Sequence, residues 1–213
     1  MMYDLLMRLP LLVWASLCAL RQFAGLLLYT NIAAVDLVTA VHVTMRLSMI
    51  TFMLLVAAVV AFRSRPSGKA SGIEPRISAL VGSFIMYGVV FFPPSRLSLS
   101  LEMVSTTLIL IGTAGAVVTL YRLGRSFSIM PESRHLVVSG PYRFVRHPLY
   151  LTEAIAIIGM FMQFASRWTA LMLAVQIAFQ IRRIYNEESV LTAAFPEYVI
   201  YQQTTARLVP GIY

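Results

Sequence analysis

The sequence is short of charged residues, of cysteine and of lysine. Only 12% of its residues are charged, whereas a soluble domain usually has about a quarter. The single cysteine, Cys18, lies in an apolar run and cannot form an intrachain disulfide; a free cysteine in such a place acts as a small hydrophobic residue. Lys69 is the only lysine among 17 basic residues. The shortage of charge argues against a soluble globular domain.

The chain also lacks the motifs of several enzyme classes. It has no glycine-rich phosphate loop, no Rossmann glycine fingerprint, no His-Glu-x-x-His motif, no paired cysteines and no Gly-x-Ser-x-Gly elbow. These absences argue against P-loop enzymes, common zinc sites and α/β-hydrolases. Of the three histidines, His42 is far in sequence from the other two. We therefore expect no metal cofactor.

Long apolar runs are what the sequence has instead, and 59% of its residues are hydrophobic. Runs of roughly 20 apolar residues cross a bilayer, and their continuous character indicates helices. The first run resembles a signal peptide, but it stays apolar as far as Tyr29, which favours a transmembrane helix. We predict an all-α, polytopic integral membrane bundle that forms a single domain over residues 1–213. Its roughly six apolar segments are residues 9–30, 41–62, 77–93, 101–121, 149–165 and 168–184.

Basic residues concentrate in alternate connections between these segments. Residues 63–76 and 122–148 are rich in arginine, and Arg182 and Arg183 end the last run. Because arginine-rich connections stay on the cytoplasmic side of a membrane, the pattern predicts a multi-pass protein with both termini in the cytoplasm. It also accounts for the net charge of +8 without a nucleic-acid partner, so that membrane lipids are the expected surroundings.

The connections near the C-terminus indicate local structure. A short turn at residues 164–167 joins the last two segments, which we expect to form a helical hairpin. Beyond Ile184, spaced apolar residues interrupted by Pro196 indicate two short amphipathic helices on the cytoplasmic face. Residues 63–76 contain serine, glycine and proline and are expected to form a flexible loop.

Polar and ionisable residues gather in three stretches on the predicted cytoplasmic face, at residues 134–137, 140–150 and 183–188. Such residues at a membrane boundary indicate a functional site. The expected hairpin brings the second and third stretches to the same depth, which predicts a polar pocket for a polar cofactor and a lipid-attached substrate. Glu153 is costly inside an apolar helix and is expected to face this pocket. Glu188 is expected to be solvated.

Two motifs in the second half of the chain indicate a family. Residues 136–150 read Leu-Val-Val-Ser-Gly-Pro-Tyr-Arg-Phe-Val-Arg-His-Pro-Leu-Tyr, and Glu187-Glu188-x-x-Leu191-x-x-x-Phe195-Pro196-x-Tyr198-x-x-Tyr201 follows, before the final Arg-Leu-Val-Pro-Gly-Ile-Tyr. In this order and spacing they resemble the isoprenylcysteine carboxyl methyltransferase family, which is close to the phospholipid N-methyltransferases. The resemblance covers about residues 124–213, the expected catalytic and cofactor region. Residues 1–123 match only as apolar transmembrane helices.

The resemblance implies a membrane-embedded methyltransferase that uses S-adenosylmethionine, with its active site facing the cytoplasm and a tunnel that admits a lipid substrate from the bilayer. By position, Glu187 matches the carboxylate that holds the cofactor, and Arg183 matches the arginine near the substrate carboxylate; these two are the expected catalytic residues. The expected cofactor-binding residues are His135, Leu136, Val137, Tyr142, His147, Pro148, Leu149, Tyr150 and Glu187. Either Arg134 or His135 inherits the role of the family's histidine.

Three functions remain open at this point. The first is carboxyl O-methylation of an isoprenylcysteine-type substrate, in which a carboxylate nucleophile needs no general base. The second is N-methylation of a phospholipid amine, which needs a proton acceptor; Tyr185, Glu188 or His147 is placed to serve. The third is a reductase that uses a nicotinamide cofactor such as NADPH, or a non-catalytic relative with the same architecture.

Overall fold

The computed structural model describes residues 2–27, 36–62, 64 and 66–211. Seven α-helices and two very short strands form the described part of the chain. The helices are α1 (Met2–Leu27), α2 (Leu37–Phe62), α3 (Glu74–Phe84), α4 (Leu99–Leu123), α5 (Pro148–Gln163), α6 (Arg167–Ala194) and α7 (Tyr198–Thr204). The strands are β1 (Gly68–Lys69) and β2 (Glu132–Ser133). Three 3₁₀ segments lie at Ile85–Phe91, Gly124–Ser126 and Gly140–Arg143.

Three helices of the described part are long and apolar enough to cross a membrane. They are Leu9–Leu27, Leu37–Phe62 and Leu99–Ser126, and the shorter α5 is also apolar. The predicted third segment is divided, because α3 ends at Phe84 and continues as a 3₁₀ segment to Phe91. The all-α membrane bundle predicted from the sequence is confirmed, whereas the six crossings remain a prediction.

Small residues let α4 and α5 pack closely. A Cβ atom added at Gly112 of α4 would lie 2.5 Å from the backbone nitrogen of Ala156 on α5. One added at Gly159 of α5 would lie 2.5 Å from the carbonyl oxygen of Ser105 on α4. Glycine is therefore required at both positions, as is usual where membrane helices approach each other closely. The core continues from this pair to α1 and α2.

The chain reverses between α5 and α6, as the hairpin prediction requires. Ser166 caps α6: its hydroxyl accepts a hydrogen bond from the backbone nitrogen of Thr169, and the Thr169 hydroxyl accepts one from the Ser166 nitrogen. The two helices then diverge, because α5 packs mainly against α4 and α6 packs mainly against α3. Space for cavities is left between α5 and α6.

The two arginine-rich connections meet in a small antiparallel sheet. Gly68 pairs with Ser133, and Lys69 pairs with Glu132. Residues 67–70 are thus ordered by pairing, whereas a flexible loop was expected for residues 63–76; two-residue strands leave no periodic pattern in a sequence. Arg63 and Arg65, which contributed to the predicted topology, lie outside the described residues.

The C-terminal region differs from the predicted pair of short helices. Residues 185–194 continue α6 without a break, because no glycine or proline interrupts the helix before Pro196. Only α7 is a separate short helix. As a result, α6 extends beyond its apolar portion and presents Glu187 and Glu188 next to the beginning of α5.

Candidate functional site

The Gly140–Arg143 segment and the start of α5 fold as a compact unit. Gly140 has a φ of +63°, a left-handed conformation that glycine adopts without a Cβ clash. The 3₁₀ segment that follows buries Tyr142. His147 then precedes Pro148, the first residue of α5, where proline is favoured because its missing N–H has no helical partner. The motif thus begins a helix and directs its side chains toward α6.

These side chains line a cavity between the beginning of α5, the end of α6 and the segment after β2. Its walls enclose about 700 Å³ of space, the open mouth included. The sequence-predicted site residues that line it are His135, Leu136, Val137, Tyr142, His147, Leu149, Tyr150, Arg183 and Glu187. Pro148 is the exception: it begins α5 and does not line the cavity. We call this space the upper cavity.

Arg183 and Glu187 flank the ring of Tyr150 within the upper cavity. The Tyr150 hydroxyl donates a hydrogen bond to Glu187 Oε2, and the Arg183 guanidinium lies 4.6 Å from the centre of the Tyr150 ring. Arg183 is only 3% exposed. Its Nη2 donates to the carbonyl oxygen of Ile129 at 3.1 Å, but its Nε and Nη1 are buried without a hydrogen-bond partner among the described residues.

The neighbouring residues Arg134 and His135 have different surroundings. The Arg134 guanidinium is buried and donates to Glu132 Oε2 at 2.5 Å and to the carbonyl oxygen of Ser64. It therefore fastens β2 to the connection after α2. His135 is exposed at the cavity mouth. Both residues line the upper cavity, so the choice between them that the sequence left open stays a prediction.

Glu188 is buried in a cluster of basic residues, which corrects the expectation that it is solvated. It is 4% exposed. Its Oε1 accepts from Arg146 Nε at 2.9 Å and from His147 Nε2 at 3.2 Å, and its Oε2 accepts from Arg207 Nε at 3.0 Å. Burial raises the pKa of Glu188, but the His147 hydrogen bond and the charges of Arg146 and Arg207 outweigh it, so the pKa lies below its usual value.

The sequence contained only an indirect signal for this cluster. The first motif contains Arg143 and Arg146 and no acidic residue, whereas the second contains Glu188, a carboxylate with no assigned partner. Through Glu188, α6 holds His147 and the beginning of α5 in place. The carboxylate is therefore a positioning group for the cavity wall.

The C-terminal segment covers one side of the upper cavity. The backbone nitrogens of Arg146 and His147 donate to the carbonyl oxygens of Ala206 and Arg207 at 2.8 and 3.0 Å. The Tyr201 hydroxyl donates to the carbonyl oxygen of Tyr142; mainly burial raises the pKa of Tyr201 to about 12. These contacts hold α7 against the motif that begins α5.

Tyr198 was not predicted as a site residue, yet it lines the upper cavity. Its ring is fully buried, and its hydroxyl has no hydrogen-bond partner within the described part of the chain. Burial and the charges of Glu188 and Glu187 raise the pKa of Tyr198, so the hydroxyl keeps its proton at neutral pH. It is a donor available to a ligand.

A second cavity, the lower cavity, lies deeper in the bundle. It encloses about 630 Å³, any open part included. Most of its walls are apolar, but Tyr87, Glu153 and Gln176 also line it. Glu153 was expected to face the cofactor pocket; it lines the lower cavity and not the upper one.

Comparison with known proteins covers most of the residues that line the upper cavity and part of those that line the lower one. Residues 101–198 match the family model described as phospholipid methyltransferase. In this stretch, a little under half of its length, the chain is similar to the phospholipid methyltransferase family. The family covers the isoprenylcysteine-type membrane methyltransferases, so the resemblance inferred from the motifs is confirmed. The matched residues include most of α4 and all of α5 and α6, and they end at Tyr198, the first residue of α7.

Two curated proteins are similar to about half of the chain. A nickel-cobalt-cadmium resistance protein, NccN, of Alcaligenes xylosoxydans xylosoxydans is 30% identical over 114 residues, covering 51% of this chain and 53% of the relative. A cobalt-zinc-cadmium resistance protein, CzcN, of Cupriavidus metallidurans is 32% identical over 119 residues, covering 55% of this chain and 51% of the relative. The chain spans about half the length of the curated relatives it matches.

Proposed function

We propose that the protein is a membrane-embedded, S-adenosylmethionine-dependent methyltransferase that methylates the carboxylate of an isoprenylcysteine-type or similar lipidated substrate. One observation supports the carboxylate most directly. Arg183 has two buried nitrogens, Nε and Nη1, without partners among the described residues, and it lines the same cavity as Glu187. Unpartnered donors on a buried guanidinium favour a bound anion, and a carboxylate is an anion that arginine binds well.

The upper cavity has groups that suit the cofactor. S-adenosylmethionine is polar and contains ammonium, carboxylate and ribose groups that need hydrogen-bond partners. Glu187 offers a carboxylate, and Tyr198 offers a buried donor without a partner in the described chain. Leu136 and Val137 line the same space and are available for the adenine end. We propose that His147, Leu149, Tyr150 and Tyr142 form the remaining wall, with His135 at the mouth.

In the proposed reaction the main task of the protein is to position the carboxylate against the methyl group. When bound, S-adenosylmethionine would supply an electrophilic methyl group, and a carboxylate acceptor would need no group of the protein to remove a proton. Arg183 would fix the carboxylate plane, and alignment of this kind lowers a barrier by up to about 7–11 kcal/mol. The apolar walls contributed by Leu149 and Leu191 would exclude water from the ionic groups.

The surroundings of the cavity suggest a substrate delivered from the bilayer. Large apolar side chains are exposed along the helices, among them Leu20 and Phe23 of α1 and Val118 of α4, and such surfaces are suited to lipid. The upper cavity lies at the end where the arginine-rich connections meet. Under the positive-inside rule, we propose that this end faces the cytoplasm and that both termini lie there.

N-methylation of a phospholipid amine is a second candidate, and Glu153 favours it. A protonated amine must lose a proton before it can attack a methyl group. Glu153 is a carboxylate in the lower cavity, on the same α5 face as Tyr150, and it could accept that proton. The family description is compatible with either acceptor.

The chemical stability of the product distinguishes the two acceptors. Purified protein in lipid nanodiscs would be incubated with methyl-labelled S-adenosylmethionine and either S-farnesylcysteine derivatives or phosphatidylethanolamine. A lipid product that releases labelled methanol in mild base is a methyl ester and supports the first proposal. A base-stable labelled headgroup supports N-methylation and contradicts the carboxylate assignment.

A further inference from the structure

Arg122 ends a row of exposed apolar side chains on α4. Val104, Ile111 and Val118 are about half-exposed, and Arg122 follows Val118 by four residues, in the last turn of the helix. Spacings of seven and four residues place these side chains on one face of α4. Because α4 is long and apolar enough to cross a membrane, this face is suited to the acyl chains of lipid, and Arg122 is suited to the level of the head groups.

The Gly140–Arg143 segment brings a second arginine close to Arg122. The side chain of Arg122 lies along Gly140, because a Cβ atom added at Gly140 would be 3.3 Å from Arg122 Cγ and 3.4 Å from its Cδ and Nε. Arg143 lies one turn of the 3₁₀ segment after Gly140, which corresponds to a rise of about 6 Å. The two long arginine side chains therefore lie near enough to contact one ligand of the size of a phosphate.

Neither Arg122 nor Arg143 has an acidic partner. Both side chains are exposed, and no ion pair within the described ranges includes either of them. Three carboxylates at this end are already paired with other basic residues: Glu74 with Arg182, Glu132 with Arg134, and Glu188 with Arg146 and Arg207. Two positive charges are thus available to an anion from outside the chain.

Exposed aromatic rings accompany the two arginines. Tyr121 precedes Arg122 and is 73% exposed, and Phe144 follows Arg143 and is 67% exposed. The Arg143 guanidinium lies 5.5 Å from the centre of the Phe144 ring. Exposed aromatic rings beside basic groups are typical of the boundary between membrane and water. We call these four residues the interfacial patch; it combines a cationic part with an apolar part, as a phospholipid combines a phosphate with acyl chains.

We propose that the interfacial patch binds an anionic phospholipid, whose phosphate contacts Arg122 and Arg143 and whose acyl chain lies along the apolar face of α4. Guanidinium groups bind phosphate oxygens through paired N–H donors. Two arginines without a carboxylate partner favour a lipid of net negative charge, such as phosphatidylglycerol, over a zwitterionic lipid whose ammonium group they repel. This site is separate from the proposed methyl transfer, because neither arginine lines the upper or the lower cavity.

A bound head group would connect the end of α4 to a segment that forms the wall of the upper cavity. Tyr142, the neighbour of Arg143 in the chain, lines that cavity. A lipid that contacts Arg122 and Arg143 together would hold the Gly140–Arg143 segment against α4. A ligand that binds only the folded state also stabilises it, so phosphatidylglycerol should raise Tm more than a zwitterionic lipid does.

A matched pair of lipids tests the site on the full chain. Delipidated protein in a neutral detergent would be titrated with phosphatidylglycerol or with phosphatidylcholine that has the same acyl chains, and native mass spectrometry would count the lipids retained. We expect the apparent Kd of the first phosphatidylglycerol to be about tenfold lower than that of the first phosphatidylcholine, since two arginines attract its net charge. The preference should shrink as the salt concentration rises, because these charges are exposed.

Substitution of the two arginines tests where the lipid binds. In the double variant Arg122→Gln/Arg143→Gln we expect the Kd values of the two lipids to lie within about threefold of each other. Both side chains are exposed, so the variant should fold like the wild type. Arg182→Gln is the matched control, because it removes another exposed arginine, one that is paired with Glu74 at 2.8 Å. It should keep the wild-type preference.

Three results would overturn the inference. Equal affinity of the wild type for the two lipids, or no binding of either, excludes a site for anionic lipid, and this comparison needs no variant. A preference that survives in the double variant, or that Arg182→Gln removes equally, places the lipid elsewhere. Competition by soluble glycerol 3-phosphate as strong as that by phosphatidylglycerol would identify a free anion as the ligand. Loss of the preference in the double variant alone supports the interfacial patch.

Discussion

The Tyr150 hydroxyl donates a hydrogen bond to Glu187 across the gap between α5 and α6. The two residues are 37 positions apart in the chain, and each belongs to a different motif of the C-terminal half. Their contact places both motifs on one cavity. The short reversal at Ser166 makes this possible, because it returns α6 to the depth at which α5 began.

Loss of Glu188 should strongly destabilise the fold. Glu188→Ala would leave Arg146, His147 and Arg207 without their shared buried acceptor, and removing one partner of a buried ion pair typically costs about 3–5 kcal/mol. Thermal unfolding in detergent, followed by tryptophan fluorescence, measures the effect. Glu74→Ala is the control, because the exposed Glu74–Arg182 pair should contribute less than about 1 kcal/mol. Equal losses in the two variants would contradict the positioning role of Glu188.

The lowered pKa of Glu188 predicts how the stability of the fold depends on pH. Because the pKa of Glu188 is lower in the folded protein than in the unfolded chain, its contribution is present above the unfolded value, about 4.3. It is lost as pH falls below that value through the folded pKa. We expect the difference in Tm between wild type and Glu188→Gln to be constant near neutral pH and to shrink in acid. A difference that grows in acid would contradict the direction of the shift.

Two glycines of α4 should respond differently to a single added methyl group. Gly112→Ala places a Cβ against the backbone of Ala156 and Thr152, at 2.5 and 2.6 Å, so α5 must move; overpacking of this kind costs about 1–3 kcal/mol. At Gly115 the added Cβ meets only the Thr152 side chain, which can rotate. Tm should therefore fall more in Gly112→Ala than in Gly115→Ala, and the reverse order would reject the packing of α4 on α5.

For turnover of the acceptor, the N–H donors of the Arg183 guanidinium should matter more than its positive charge. Arg183→Lys keeps the positive charge but loses the Nε and Nη1 donors that have no protein partner in the described chain. We expect kcat/KM for the acceptor to fall by about 10- to 100-fold, corresponding to about 1.4–2.7 kcal/mol, while the affinity for S-adenosylmethionine stays near that of the wild type. If cofactor affinity falls as much as acceptor turnover, Arg183 belongs to the cofactor site.

Tyr198 offers a test that separates binding from stability. Its hydroxyl has no hydrogen-bond partner in the described chain, so Tyr198→Phe removes no protein contact and should leave Tm unchanged or slightly higher. If the hydroxyl donates to the cofactor, the Kd should rise by roughly tenfold or less, as for a hydrogen bond of about 1 kcal/mol. Tyr201→Phe is the comparison: it removes the bond to the Tyr142 carbonyl and should lower Tm.

Much of the architecture could be predicted because apolar runs and turn residues act locally. The apolar runs predicted the membrane helices. The turn before Arg167 predicted that the chain reverses direction there, which brings Glu187 to Tyr150. Hydropathy could not show that the third run changes helix type after Phe84, because composition does not determine the hydrogen-bond spacing. Nor could it show that residues 185–194 extend α6, since amphipathic spacing is the same in one helix as in two.

The parts of the site that were missed depend on partners distant in the chain. Glu188 looks solvated from its neighbours along the sequence; its burial arises from Arg146 and Arg207, 42 positions before it and 19 after it. Glu153 could be recognised as unusual from its depth, but the structure was needed to find the cavity that it lines. The β1–β2 pairing likewise joins residues more than 60 positions apart.

The central claim, that the upper cavity binds S-adenosylmethionine, is tested most directly by calorimetry on purified protein, with Glu187→Gln and, as control, Glu74→Gln at the same end of the bundle. The account predicts saturable binding by the wild type and the control, and binding at least about tenfold weaker in Glu187→Gln, a loss of about 1.4 kcal/mol. A folded wild type that does not bind S-adenosylmethionine, or that binds a nicotinamide cofactor in its place, would contradict it.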